Sequence, residues 1–492
     1  MTGRQKRLLS LLFSAAAALA FSLVFYAFNT PLGPSIGSDN AMYLTMGTAL
    51  ARGYAPYTQI FDHKGPLLFA VQCLPQALSG GYSTLFVFLQ EALVLFCCLR
   101  VLAAVARETG APEALLQLVY LALTCSLTGG GNLSEEYTNL PTLLGLLAAL
   151  RCFGRQPDHQ PRALFRPALL MGLCACCCFL MRANNALPLC LLAAGLALGL
   201  ACSRQFAALC ACAAGFTCGL LCAFLPVLVW LMSRGAVSAA FYGAILHNFM
   251  YAGTGDGRSR LGMLLHDGYG QIALLCLLLA CLGALALGRK RRPLLAFGFL
   301  CAAAGGLMAA FISHKFYDHY LMIAVPLAVT GAGLLLGMLA GKPRVLRGAS
   351  LAAALLCVLW LSVKGVQTDA WRRQEAEDLP QFTADAQALY ARVPEAERDR
   401  FMAYRVEPRW YVVTGALPCM RFYFLQETLA EANPAVMDEI VQTFETRPPL
   451  WLVIYYDRPF SPPYDPRVAE IFRDRYDFVD AAGTYQLLRL KE

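Results

Sequence analysis

Residues Phe206–Met232 read "FAALCACAAGFTCGLLCAFLPVLVWLM". No charge interrupts them. At about 1.5 Å per helical residue they are long enough to cross a bilayer core of roughly 30 Å. A second run, "LLSLLFSAAAALAFSLVFYAF" at 8–28, repeats the pattern. The chain of 492 residues is 58% hydrophobic and only 15% charged, well away from the balance of soluble domains. These features describe a polytopic helical membrane protein and exclude an ordinary soluble enzyme. The opening "MTGRQKRLLSLLFS" has the basic start of a signal peptide. The apolar stretch behind it is longer than a usual h-region and lacks a small-x-small exit, so an uncleaved first helix is expected.

About eleven spans are expected, near 8–30, 82–106, 112–128, 138–153, 164–181, 186–202, 206–232, 270–288, 293–312, 319–340 and 347–364. The loops between them alternate in charge. With a cytoplasmic N-terminus, the inner loops hold Arg4, Lys6 and Arg7, then Arg100–Glu113, "RCFGRQPDHQPRALFRP", Arg204, "GRKRRP" and "GKPRVLRG". The outer loops hold Asp39–Lys64, "GGGNLSEEYTN", "RANNALP", Ser233–Gly270 and "SHKFYDH". The dense basic clusters therefore fall on one side, as membrane orientation requires. That distribution accounts for the net charge of +8 without a nucleic-acid partner. Ionisable residues are expected at span ends, which argues against a transporter with charges at the midplane.

Most of the twenty cysteines sit in apolar runs such as "LCACCCFLM" and read as small hydrophobes. Segment 367–492 differs in composition from the membrane part, 1–366. It is charged and Pro-rich, with helix-like Asp378–Val393 and Ala435–Phe444 and strand-like "LWLVIYY" and "YQLLRLK". A small soluble α/β domain is expected there, and an odd number of spans places it outside the cytoplasm. It contains one cysteine, Cys419, so no disulfide closes within it.

The first outer loop, 31–81, carries the most chemistry. Ser38–Phe69 reads "SDNAMYLTMGTALARGYAPYTQIFDHKGPLLF". From Asp39 to Gly53 it is helix-compatible, with Met42, Met46, Ala49 and Leu50 on one face. An interfacial helix with Ser38 as N-cap is expected, and Asp39 suits its positive end. Gly53 and Pro56 break that helix, and Gly65-Pro66 turns the chain into another apolar one.

A carboxylate opening an interfacial helix, followed about 25 residues later by Lys64-Gly65-Pro66-Leu67, resembles the first extracytoplasmic loop of the GT-C membrane glycosyltransferases. The branch in question contains the protein O-mannosyltransferases and the lipid A aminoarabinose transferase. In that branch an acidic pair precedes a K-P-P-L-like turn. Here the pair is Asp39-Asn40 and one proline is Gly65.

The resemblance implies a GT-C-like bundle with an extracytoplasmic α/β domain. It implies transfer of a sugar from a polyprenyl-phosphate donor to an extracytoplasmic acceptor, with inversion. Asp39 would activate the acceptor hydroxyl, and Lys64 would neutralise the departing lipid phosphate. Glu135 and Glu136 are further candidate catalytic acids, although a helix cap formed by Ser134 with both glutamates in the first turn fits the same residues. Arg182, Lys315 and His319 are candidate phosphate ligands, with interfacial anchoring as the competing role. No cofactor is required. A divalent ion held by Asp62 and His63, with His247 or His266, is the lesser reading. The partners expected are the lipid-linked donor, the acceptor and the bilayer. A flippase of lipid-linked sugars and a polysaccharide ligase or polymerase are the alternative functions.

Overall fold

The computed structural model describes residues 2–33, 35–153, 161–253, 268–312, 317–375, 377–455 and 464–492. Each of the eleven expected spans coincides with a helix. These are α1 (Gly3–Phe25), α4 (Thr84–Thr109), α5 (Glu113–Leu127), α6 (Ser134–Phe153), α7 (Pro161–Met181), α8 (Leu187–Cys202), α9 (Phe206–Ser233), α12 (Gly268–Arg289), α13 (Pro293–Phe311), α14 (Val325–Leu339) and α15 (Arg344–Glu375). Nine of the positions, among the described residues, are long and apolar enough to cross a membrane, and the chain is a multi-pass membrane protein. The other two are α5, with 15 residues, and α6, which opens on Ser134-Glu135-Glu136. Both are buried on most of their faces. A helix screened from lipid by other helices can be shorter or more polar than one facing it.

The chain divides into two compact units. The first comprises 1–33, 88–229 and 255–371, which is the membrane bundle. One continuous core runs through it, from Ala18 on α1 to Leu361 on α15. Its helices approach through small residues, as packing in lipid demands. Gly331 on α14 lies so close to the Leu279 carbonyl of α12 that no side chain would fit between them.

The second unit comprises 34–87, 230–254 and 372–492. It holds α2 (Ser38–Ala51) and α3 (Pro66–Ser79), then α10 (Val237–Phe241), a π-helical turn at Tyr242–Leu246, and α11 (His247–Gly253). The C-terminal segment adds α16 (Leu379–Tyr390), α17 (Arg409–Thr414), α18 (Gln426–Ala432), α19 (Ala435–Thr446) and α20 (Pro466–Arg475). Its sheet contains β1 (Phe401–Ala403), β2 (Trp451–Tyr455), β3 (Tyr476–Ala482) and β4 (Tyr485–Leu490) in the order β1-β2-β4-β3. β1 and β2 run parallel, with Phe401 opposite Trp451. β4 is antiparallel to both its neighbours, with Trp451 opposite Arg489. This is the small α/β domain expected from composition, and both strand-like runs are strands.

Helix α2 departs from expectation. It is not a one-sided interfacial helix, because every residue from Asn40 to Leu50 is buried. One side is covered by α3, where Gly47 lets the Gln72 carbonyl come into contact. Elsewhere the Tyr423 hydroxyl donates to the Met42 carbonyl at 3.0 Å. The polar residues survive burial because Thr45 and Thr48 donate to the Ala41 and Leu44 carbonyls, each at 2.8 Å. Nor is Ser38 the cap. Gly37 takes the extended cap conformation, and Ser38 is the first helical residue.

Replacing Gly47 by leucine forces α2 and α3 apart and is expected to cost about 1–3 kcal/mol. The check is the unfolding temperature of the purified protein. A Gly47→Leu protein that melts like wild type would contradict the close approach.

Candidate active site

The loop between α2 and α3 is held in place from inside. Tyr57 is fully buried with left-handed backbone, φ 64°. Its hydroxyl donates to the Lys64 carbonyl at 2.7 Å. The C-terminal segment grips the same loop, since the Arg421 Nε donates to the Tyr57 carbonyl at 2.6 Å and the Phe61 amide donates to the Arg421 carbonyl at 2.9 Å. The side chain of Asp62 accepts from the Lys64 amide at 2.9 Å, which turns the chain into Gly65-Pro66.

Three ionisable groups meet at this turn. The Lys64 Nζ lies 3.1 Å from the His63 Nε2 and 4.0 Å from the Asp62 Oδ1. The Asp62 Oδ2 lies 3.5 Å from the His63 Nδ1. Asp62, His63 and Lys64 are all buried. Asn248 on α11 donates to the His63 carbonyl at 2.7 Å, and the His63 and His247 rings are 6.0 Å apart. Burial pushes the Asp62 carboxyl above the usual aspartate range; the Lys64 ammonium opposes that rise and the Asp39 charge adds to it. Asp39 itself stands half-exposed in the first turn of α2. The loop region thus presents an accessible carboxylate at the start of α2 and a buried lysine beside Asp62 and His63, where burial makes its charge act strongly.

The membrane unit gathers a second group. The Arg182 Nη1 is 2.5 Å from the Glu135 Oε1, and both side chains are at least nine-tenths buried. The Arg182 guanidinium lies over the Tyr320 ring at 4.3 Å. His319 packs edge-on to Tyr320 with centroids 4.8 Å apart and stacks on Tyr317 at 5.6 Å. Glu135, Arg182 and His319 are thereby brought together. Ser134 donates to Glu135 at 2.8 Å. Glu136 points elsewhere, accepting from the Thr128 hydroxyl at 2.5 Å and the Leu133 amide at 3.2 Å. Lys315, His266 and most of the Gly-rich stretch after Tyr251 lie outside the described residues. Among the described residues no group of three His, Cys, Asp or Glu side chains is arranged to hold a metal ion.

Sequence reasoning missed Glu91. It lies seven residues into α4, so the expectation that charges sit only at span ends is wrong. The carboxylate is tolerated because it is buried among donors: Asn29 donates to it at 2.9 Å and the Asn132 amide also donates to it. A lone acid inside an apolar run was the available signal. Arg421 was missed too, because nothing in a charged tail marks one arginine as the partner of a distant loop.

No protein-family model and no curated protein matches the chain. Solved structures do. ArnT from Cupriavidus metallidurans bound to undecaprenyl phosphate superposes with a TM-score of 0.65 at 13% identity, covering 99% of this chain and 98% of that one. The Archaeoglobus fulgidus oligosaccharyltransferase in complex with zinc and sulfate matches with a TM-score of 0.57 at 14% identity, over 90% of this chain and 68% of that one. The arabinofuranosyltransferase AftD from Mycobacteria matches with a TM-score of 0.51 at 13% identity, over 100% of this chain and 40% of that one. The fold is therefore the GT-C fold of membrane glycosyltransferases.

Two outcomes follow from the site geometry. Arg182→Ala leaves the Glu135 carboxylate buried without its cation and is expected to cost about 3–5 kcal/mol. Adding Glu135→Gln should restore much of the loss, with both proteins compared by thermal unfolding. His247 is held neutral by burial, reinforced by Lys64, down to about pH 4. Unfolded histidine takes up its proton near pH ~6.5. The His247 contribution to stability is thus complete above that value and is lost as pH falls from it towards 4. Unfolding temperature measured against pH should slope in this window for wild type, and His247→Gln should remove part of the slope.

Proposed function

We propose that this protein is a glycosyltransferase that moves a sugar from a polyprenyl-phosphate carrier to an acceptor outside the cytoplasm. The observation that carries the reading is the end-to-end match to a GT-C structure bound to undecaprenyl phosphate, in a chain whose first outer loop pairs an accessible acid with a buried lysine. The N-terminus is cytoplasmic in this reading, because the basic loops fall on its side.

Asp39 accepts the proton of the acceptor hydroxyl. The freed oxygen attacks the anomeric carbon, and the bond from that carbon to the phosphate oxygen breaks. Polyprenyl phosphate departs carrying the new negative charge. A single displacement of this kind inverts the anomeric centre. Lys64 supplies the cation for the departing phosphate, oriented by Asp62 and His63. Arg182 and His319 offer a second cationic station, with Glu135 and Tyr320 fixing the guanidinium plane. Lys315 joins this set by the pattern of the sequence. Glu136 serves the loop it caps. The reaction needs no cofactor.

The test uses purified protein and a panel of polyprenyl-phosphate sugars. Asp39→Asn should lower turnover by about 100-fold or more while donor binding persists. Lys64→Ala should chiefly weaken donor recognition. Full turnover by Asp39→Asn would sink the role given to Asp39, absence of turnover by the wild type would sink the transferase reading, and movement of the intact lipid-linked sugar across a vesicle without cleavage would make the protein a flippase.

A further inference from the structure

The second unit contains a cavity of about 310 Å³ that the proposed reaction does not use. Its walls come from two separate stretches of sequence. Ala239 and Tyr242 stand on the segment running from α10 into the π-helical turn, and Arg421, Phe422, Asn433 and Glu439 come from the C-terminal segment. Such π-turns occur frequently at functional sites.

The chemistry of the walls selects a ligand class. Arg421 donates through its Nη1 to both Glu439 oxygens, at 3.0 and 2.8 Å. Glu439 stands in the cavity wall beside Arg421, so a carboxylate opposes any phosphate or carboxylate entering this cavity. The pair still offers outward donors and acceptors to a neutral ligand. Asn433 donates to the Tyr242 hydroxyl at 2.5 Å, which sets a second polar edge. Phe422 adds an aromatic ring, and the Arg421 guanidinium lies 4.8 Å from its centroid. Hydroxyl-matching polar edges beside aromatic surface suit a sugar ring, whose rim is polar and whose faces are lined with C–H groups. The volume is at the lower end of the roughly 300–1,000 Å³ usual for small-molecule sites, which is room for one ring.

The cavity is also wired to the loop described above. Phe61 packs on Phe422 at 5.0 Å and on Tyr242 at 6.2 Å, and the next residue is Asp62. Arg421, a wall of the cavity, holds the Tyr57 carbonyl.

We propose that this cavity binds a neutral sugar unit of the acceptor, so that the acceptor is itself a glycan or glycoconjugate. The word acceptor rests on the transferase reading; the binding of a neutral sugar does not.

The experiment uses the protein in nanodiscs free of sugar-headed detergent, with saturation-transfer NMR against a set of neutral methyl glycosides, a methyl glucuronide and methyl phosphate. Wild type and Asp39→Asn should both transfer saturation to at least one neutral glycoside and none to methyl phosphate. Ala239→Trp, which fills the cavity, should abolish it. Asn433→Ala, which removes one polar edge without filling space, should weaken binding roughly five-fold. Silence towards every neutral glycoside, a preference for the glucuronide, or wild-type binding by Ala239→Trp would overturn the proposal. If Ala239→Trp does not fold, unchanged affinity in Asn433→Ala does so alone. Absence of turnover by the wild type on every polyprenyl-phosphate sugar would instead defeat the transferase reading while leaving glycoside binding intact, so the two failures are separable.

Discussion

The hydroxyl of Tyr57 holds the charged turn together. A fully buried tyrosine must find a partner for its hydroxyl, and here the partner is the carbonyl of Lys64. That one bond closes the loop on itself and places Asp62, His63 and Lys64 side by side. The tyrosine adopts a left-handed backbone to do this, a conformation costing on the order of 1–3 kcal/mol for a bulky residue. The surroundings offset that cost: Arg421 takes the Tyr57 carbonyl, and the ring packs edge-on against Phe61 and Phe69. A cation buried beside Asp62 and His63 keeps little water of its own, so little has to be displaced from it.

The membrane unit solves a different problem. Its outer helices meet lipid, and its inner ones need not. Helices α5 and α6 sit inside and can therefore carry Gln117, Glu135 and Glu136, which a lipid-facing helix would not tolerate. Each such group is answered by a near neighbour: Gln117 donates to the Leu99 carbonyl, Glu135 meets Arg182, and Glu136 accepts from Thr128. Interior polar groups of this kind fix one packing among the many that greasy helices would otherwise allow.

The bundle was readable because hydrophobic length and basic loops are one-dimensional signals. Eleven apolar runs became helices near their expected positions. Asp39 and Lys64 were singled out from the same loop for their contrast with what surrounds them. The neighbours of that loop were not readable. Nothing in the sequence of α2 announces that Thr45 and Thr48 are buried, since both look solvent-facing until their hydroxyls are found bonded to their own helix. Arg421 and Asn248 reach the loop from far along the chain, and such pairings leave no periodic trace. Glu91 was visible as a letter, but its meaning depended on Asn29 and Asn132, brought beside it only by folding.

Arg421 and Tyr57 are 364 positions apart. On a ribosome adding about 5–20 residues per second, that separation is a wait on the order of tens of seconds. Helices α2 and α3 emerge first, and the arginine that clasps the loop between them follows 364 positions after Tyr57. The charged turn therefore spends that interval without its final shape. A nascent chain already threaded into the membrane lacks the clasp that shapes this turn until Arg421 has been made.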